Sequence, residues 1–290
     1  MLHCLLISAP LVALDLRLPS EYAARSMEYS DLAWYGEQLI LLPQYPDAAL
    51  PVIDKKSLET ALDHPDTFLR VHDLPFDDHV IHETISGFEG YEAIVFDGES
   101  LYLLVEARTF FGSMRGYLVR CRIDDESITA EKFIELPLPT DISNFAFEAL
   151  SLADDDLIVF YEANGIMPRP YAYRISRDLK DVSRIDLESI QYRLTATTPF
   201  VDNRAWAIQS YWNGEQKKLR VGERENFGRI IELERTASGI RTTPRFIPLH
   251  EGSVSYNWEG IVSFDKKGFI VVTDTHPKTV LWFVEWELSQ

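Results

Sequence analysis

The sequence has little that could form a disulfide framework, a soft-metal site or a membrane anchor. Only two cysteines, Cys4 and Cys121, occur in 290 residues, which is too few for either a disulfide scaffold or a zinc cluster. No apolar run approaches the roughly 18 residues of a membrane span, so we expect no membrane insertion. Gly-rich phosphate loops and the G-x-S-x-G and H-E-x-x-H motifs are also missing, which argues against the enzyme classes that carry them.

Positive charge is scarce as well. Lys and Arg number 28 against 46 Asp and Glu, giving a net charge of −18. A surface of that sign repels phosphate polyanions, so we expect no nucleic-acid binding. The apolar stretch in residues 1–20 has no basic segment before it and no clear cleavage site, which favours a strand over a signal peptide. The prediction is therefore a cytoplasmic protein, or a periplasmic or secreted one if the true start lies upstream.

One hairpin pattern occurs five times along the chain. YEAIVFDGESLYLLVEA begins at Tyr91 and FEALSLADDDLIVFYEA at Phe147, and weaker copies begin at Tyr29, Leu194 and Trp258. Each copy has an apolar strand, a turn and a second apolar strand, and each of the first four continues into a third strand and a more polar fourth. Four antiparallel strands repeated every 45 to 65 residues or so are typical of a β-propeller blade. The sequence therefore predicts an all-β, five-bladed propeller.

The fifth unit ends after three strands, so another segment must complete it. Residues 10–19 can supply that strand and close the ring, which removes two sheet edges. We predict one propeller domain over 1–290, with the closure strand and lead-in in 1–28. The predicted blades lie near 29–85, 86–140, 141–190, 191–250, and 251–290 plus 10–19. Residues 54–65 are the one expected helix, and His79 and His82 are expected on opposite faces of a strand.

Acidic residues recur at two positions of each hairpin. The position near the start of the first strand holds Ser30 or Asp31, Glu92, Glu148, Thr195 and Glu259. The position at the end of the second strand holds Gln44, Glu106, Glu162, Gln209 or Ser210, and Asp274. In a propeller both positions lie at the same end of the central channel.

Converging carboxylates repel one another, so something must offset their charge. An all-oxygen ligand set favours Ca²⁺, and the predicted metal ligands are Asp31, Glu92, Glu148, Glu259 and Asp274. The alternative is that the outer acids, Glu106, Glu162 and Asp274, point to solvent or bond backbone amides of the neighbouring blade as structural staples.

The loops that leave this end of the channel carry basic and aromatic residues. They predict a seat for a small anionic substrate such as an ester or phosphate. The predicted substrate-binding residues are Arg108, Arg169, Tyr211 and Lys278. The predicted catalytic residues are His276, which is suited to acid or base work, together with Glu106 and Glu162. A protein partner is a further expectation for this face.

Three blade openings resemble those of a known family. GFEGYEAIVFDGESLYLLVEAR, NFAFEAL and YNWEGIVSF are similar to openings in the phytase-like, or esterase-like, propeller family, and more distantly to the five-bladed calcium-activated nucleotidases (apyrases). The resemblance implies a propeller, a channel-bound calcium ion and phosphoester chemistry, although Thr195 departs from the acidic pattern. Two hypotheses follow: a calcium-dependent hydrolase of phosphate or carboxylic esters, or a non-catalytic propeller that binds a ligand or protein and keeps a structural metal.

Overall fold

Five four-stranded antiparallel sheets are arranged as the blades of a ring. The structure is a computed structural model that describes residues 13–124, 127–139, 145–162, 167, 169–188, 190, 192–211, 227–249, 256–274 and 278–286. The first strands of neighbouring blades contact one another around the whole circle. The predicted all-β, five-bladed propeller is confirmed.

The strands follow the chain from the channel outward in each of the first four blades. Blade one contains β2 (Tyr29–Tyr35), β3 (Gln38–Pro43), β4 (Ala49–Asp54) and β5 (Val71–Pro75). Blade two contains β6 (Phe88–Asp97), β7 (Ser100–Arg108), β8 (Met114–Ile123) and β9 (Ile128–Leu136). Blade three contains β10 (Phe147–Ala153), β11 (Asp156–Tyr161), β12 (Tyr171–Ser176) and β13 (Val182–Asp186). Blade four contains β14 (Arg193–Thr197), β15 (Arg204–Tyr211), β16 (Phe227–Thr236) and β17 (Gly239–Pro248).

Blade five takes strands from both ends of the chain. It contains β18 (Trp258–Phe264), β19 (Gly268–Thr273) and β20 (Leu281–Glu285), and β1 (Ala13–Asp15) is its outer strand. Strand β1 pairs antiparallel with β20, with Leu14 opposite Phe283. The predicted closure by an N-terminal strand is therefore confirmed.

Burial decreases from the channel to the rim, which explains the sequence pattern of the strands. The second strands are nearly continuous apolar runs because both of their faces are covered by neighbouring blades, as β3 and β11 illustrate. Outer strands such as β13 are mostly exposed and therefore polar. The apolar core is divided into five clusters, and each fills the seam between two adjacent blades.

The helical segments in the described part of the chain are short. The expected helix is present as α1 (Lys55–Asp63), which buries Leu58 and Ala61. The strand expected around His79 and His82 is wrong, because this segment forms a helix, α2 (His79–Thr84), that buries Ile81 against blades one and two. Short turns of this kind are stabilised by packing rather than by intrinsic propensity. A 3₁₀ turn covers Arg25–Met27. Among the described residues, no helix combines the length and the apolar character needed to span a membrane.

Candidate functional site at the acidic end of the channel

Each first strand of the ring has a bulge at the same place. The pairing register skips one residue between Tyr91 and Ala93 in β6, and the same irregularity occurs in β2, β10, β14 and β18. A bulge leaves one residue unpaired and re-aims its side chain. The five bulge residues are Ser30, Glu92, Glu148, Thr195 and Glu259. The recurring position seen in the sequence is therefore a recurring bulge, and in blade one it is held by Ser30.

A buried arginine lies among the channel acids. Arg193 opens β14 and is 6% exposed. Its Nη2 lies 3.1 Å from Glu148 Oε2 and 3.9 Å from Glu259 Oε1, and its Nε is ion-paired with Glu162. Glu162 is itself 1% exposed. The charge that the sequence pattern required is thus supplied in part by a side chain of blade four, next to the position where Thr195 replaces an acid.

Two further glutamates belong to the same electrostatic cluster. Burial raises the pKa of Glu92 well above its usual range, and the charges of Glu106, Glu148 and Glu259 raise it further. Burial and the charge of Glu148 raise the pKa of Glu106 to about 7, although Arg108 and Arg193 oppose that rise. Because both groups hold their protons more tightly than an exposed glutamate does, this end of the channel can donate a proton near neutral pH.

The position of Glu92 depends on a glycine in the same strand. A hydrogen bond from Gln44 favours the ionised form of Glu92 and so lowers its pKa. Gly90 has a φ of +145°, and a Cβ there would lie 2.4 Å from Gln44 Cγ. Any larger residue would displace Gln44. Gln44 is the residue that the sequence pattern pairs with Asp31 in blade one. It therefore contributes to the cluster through its hydrogen bond to Glu92.

Two polar atoms at this end of the channel lack hydrogen-bond partners. Glu92 Oε1 and Ser210 Oγ are both buried with no partner among the described residues. Ser210 lies directly opposite Arg193 in the β14–β15 pair. Buried polar atoms are rarely left unpaired in folded proteins.

Asp31 and Thr195 fasten neighbouring blades to each other. Asp31 accepts hydrogen bonds from the backbone N–H groups of Leu32, at 2.7 Å, and of Ile94 in blade two, at 3.0 Å. Burial raises the pKa of Asp31 well above its usual range, although both hydrogen bonds lower it. Thr195 Oγ1 donates to the Trp258 carbonyl in blade five at 2.7 Å. Both residues thus bond to the backbone of a neighbouring blade.

The other predicted site residues lie in different surroundings. Asp274 Oδ2 accepts from Asn257 Nδ2 at 2.9 Å. Tyr211 is 2% exposed and packs edge-on against Tyr192. Arg108 Nε lies 3.3 Å from Glu89 Oε2.

The remaining two described residues of the predicted set are on the surface. Arg169 and Lys278 are both exposed, and His276 lies outside the described residues. The substrate-binding and catalytic roles assigned to these residues stay predictions.

The cluster fits a calcium ion poorly. A guanidinium group already lies against three of the carboxylates, and it would repel a divalent cation placed beside it. Among the described residues, no group of three or more His, Cys, Asp and Glu is arranged to hold a metal ion. The calcium site therefore stays a prediction.

Sequence reasoning missed Arg193 because it lies one residue before the repeated frame. The available signal was the segment YRLTAT, in which a single arginine precedes a strand that must be buried against its neighbours. A buried arginine needs carboxylate partners, and the channel acids are the nearest candidates.

Several solved structures have a fold similar to that of this chain. No family model and no curated protein matches the chain, so the phytase-like resemblance stays a prediction. A β-1,3-galactosidase of class GH43, solved with galactodeoxynojirimycin, superposes with a TM-score of 0.55 at 10% identity, covering 95% of this chain and 98% of its own. An α-L-arabinofuranosidase from Clostridium thermocellum gives a TM-score of 0.52 at 10% identity, with 84% and 81% covered.

A glucose dehydrogenase also superposes, with a TM-score of 0.53 at 10% identity and with 95% and 99% covered. These neighbours share its fold. At such low identity the likeness concerns the fold alone, and no activity is carried over to this chain.

Proposed function

We propose that the chain is a hydrolase whose carboxyl groups at the acidic end of the channel act as general acid and general base. The proposal rests on the observation that three carboxylates share one buried arginine while two neighbouring glutamates do not contact it closely. Arg193 contacts Glu148, Glu162 and Glu259, whereas Glu92 and Glu106 have raised pKa values. Neighbouring carboxyl groups whose environments separate their proton affinities are the arrangement that acid–base hydrolases use.

The surroundings of each carboxyl group suggest its role. Glu106, with a pKa of about 7, is the proposed acid that protonates the leaving oxygen of the substrate. Glu259 is the proposed base that removes a proton from the attacking water, because its oxygen is 3.9 Å from Arg193 whereas that of Glu148 is at 3.1 Å. Glu148, Glu162 and Arg193 are positioning residues.

The charge of the cluster favours a neutral substrate. Five glutamates surround one buried arginine, and Arg108 is already paired with Glu89. An anionic ester would be repelled unless these carboxyl groups took up protons. A neutral acetal such as a glycoside avoids that cost, and paired carboxyl groups hydrolyse glycosides without a metal. The galactosidase and arabinofuranosidase with the same ring support this choice of substrate class.

The decisive assay compares substrates and variants together. We expect turnover of neutral aryl glycosides by the unaltered chain, and loss of at least about a hundredfold in kcat in Glu259→Gln and in Glu106→Gln. Glu99→Gln is the matched control, because Glu99 lies in the same hairpin as Glu106 at the opposite, exposed end and its change should leave the rate unaltered. Phosphate and acetate esters in the same panel test the ester prediction. Azide rescue of Glu259→Ala would support the role of Glu259 as base.

A non-catalytic, ligand-binding propeller is the second candidate. Arg193, in blade four, forms ion pairs with carboxylates of blades three and five. Such ion pairs between blades could serve only to stabilise the ring, which favours this candidate. Equal background rates in all variants and on all substrates would select this candidate. Calcium content after gel filtration with and without EDTA, measured by mass spectrometry, tests the metal prediction in either case.

A further inference from the structure

The side chains along the first strand of each blade change from polar to apolar with distance from the bulge. Side chains two residues apart lie on the same face of a strand. Four residues after each bulge the chain has an apolar residue in four of the five blades. This set, the rim layer, consists of Trp34, Phe96, Leu152, Pro199 and Ser263.

Two residues after the bulges lies an intervening set that is almost entirely buried. Its members that line the cavity are Leu32, Ile94, Thr197 and Ile261. The channel therefore has acids at one end and an apolar wall at the other.

A cavity of about 230 Å³ is enclosed by these layers. Its wall includes residues of all five first strands, together with Val201 from the β14–β15 turn. Val201 is 68% exposed, which places it at the mouth of the cavity. The cavity thus opens at the end of the ring where the hairpin turns lie, away from the glutamate cluster.

Two polar side chains of the wall already have hydrogen-bond partners. Thr197 Oγ1 donates to the Leu150 carbonyl at 3.2 Å, and Trp34 Nε1 donates to the Ser263 carbonyl at 2.9 Å. A water molecule needs two to four polar partners to be stable in a cavity, whereas apolar cavities stay dry and bind small hydrocarbons. The wall therefore favours an apolar occupant over water.

The size and charge of the site define that occupant. An apolar cavity of roughly 150 Å³ accommodates benzene, and drug-sized ligands need roughly 300 Å³ or more. A cavity of about 230 Å³ therefore suits one ring or a short branched alkyl group. The net charge of −18 disfavours an anion. We propose that this cavity is a second binding site, distinct from the acidic cluster, for a small neutral apolar molecule.

Toluene is a suitable probe, and methyl NMR reports where it binds. We expect saturable shifts in the methyl signals of Leu32, Ile94 and Ile261, and none in Leu58 beneath α1. Val201→Asp should weaken binding by on the order of tenfold or more, because it places a charge at an apolar mouth. Val182→Asp is the matched control, since Val182 is also an exposed valine (45%) but lies on the outer strand β13.

Three results would overturn the proposal. The first is the absence of saturable shifts at the cavity methyl groups, and the second is equal weakening by the two valine variants. The third is a concentration-dependent dimer in sedimentation velocity that Val201→Asp abolishes, which would assign the cavity to a second copy of the chain. Ala33→Leu provides an independent check, because Ala33 lines the cavity and a larger side chain should reduce toluene binding. An unchanged melting temperature is the control that the ring of this variant is folded.

Discussion

Replacing Glu106 by glutamine should change how stability depends on pH. The pKa of Glu106 is raised from 4.5 to about 7 in the folded chain, mainly by burial. Between these two pH values the folded state holds a proton that the unfolded state has lost. The contribution of Glu106 to the free energy of unfolding therefore falls as pH rises through this window and levels off above about pH 7.

The shift fixes the size of the effect. A difference of 2.5 pKa units, from 4.5 to about 7, corresponds to about 3 kcal/mol at 1.36 kcal/mol per unit. Glutamine keeps the shape of the neutral acid but has no proton to lose. Glu106→Gln should therefore be more stable than the unaltered chain by up to about 3 kcal/mol at pH 8 and nearly equal to it at pH 4.5.

Urea unfolding at a series of pH values measures this difference directly. Glu99→Gln serves as the control because Glu99 is exposed in the same blade, and its stability should follow that of the unaltered chain at each pH. The reasoning is refuted if Glu106→Gln and Glu99→Gln show the same slope between pH 5 and pH 8. Refutation would mean that water or a cation reaches Glu106 and keeps it ionised.

Two further predictions concern Arg193 and Cys121. Arg193→Gln leaves buried carboxylates without their cation and should lower the free energy of unfolding, measured in urea, by about 3 to 5 kcal/mol. Arg174→Gln is the control, because the half-exposed Arg174 forms an ion pair of 3.7 Å with Asp156, and it should lower that free energy by less than about 1 kcal/mol. Equal losses in the two variants would contradict the central place of Arg193. Burial raises the pKa of Cys121 to about 12, so a thiol reagent at pH 8 should not modify it in the folded chain but should in urea; rapid labelling of Cys121 without denaturant would show that blade two opens.

The ring and its closure could be predicted because the same hairpin pattern repeats five times in the sequence. The hairpin frame recurs with apolar strands and polar turns, and a three-stranded last unit requires a fourth strand from elsewhere. The acids of blades two, three and five were placed at one end of the channel by the same argument, and Glu92, Glu106, Glu148, Glu162 and Glu259 do interact there.

Other features depended on contacts that a repeat does not encode. A bulge shifts register by one residue, so the choice between Ser30 and Asp31 could not be made from spacing. Arg193 stands outside the frame, and its partners come from other blades. The α2 segment around His79 is too short for helical periodicity to distinguish it from a strand, and packing of Ile81 decides its conformation.

The joining of β1 to β20 has a consequence for how the chain folds. Blade five can be completed only after both ends of the described chain have met, whereas the other four blades are built from consecutive segments. Contacts between distant parts of a sequence form late because closing a long loop costs entropy before any contact forms. On the ribosome, blades one to four can fold in order as they emerge. The ring itself must wait for the last strand, and until then the open seam between blades one and five is the surface that a chaperone would meet.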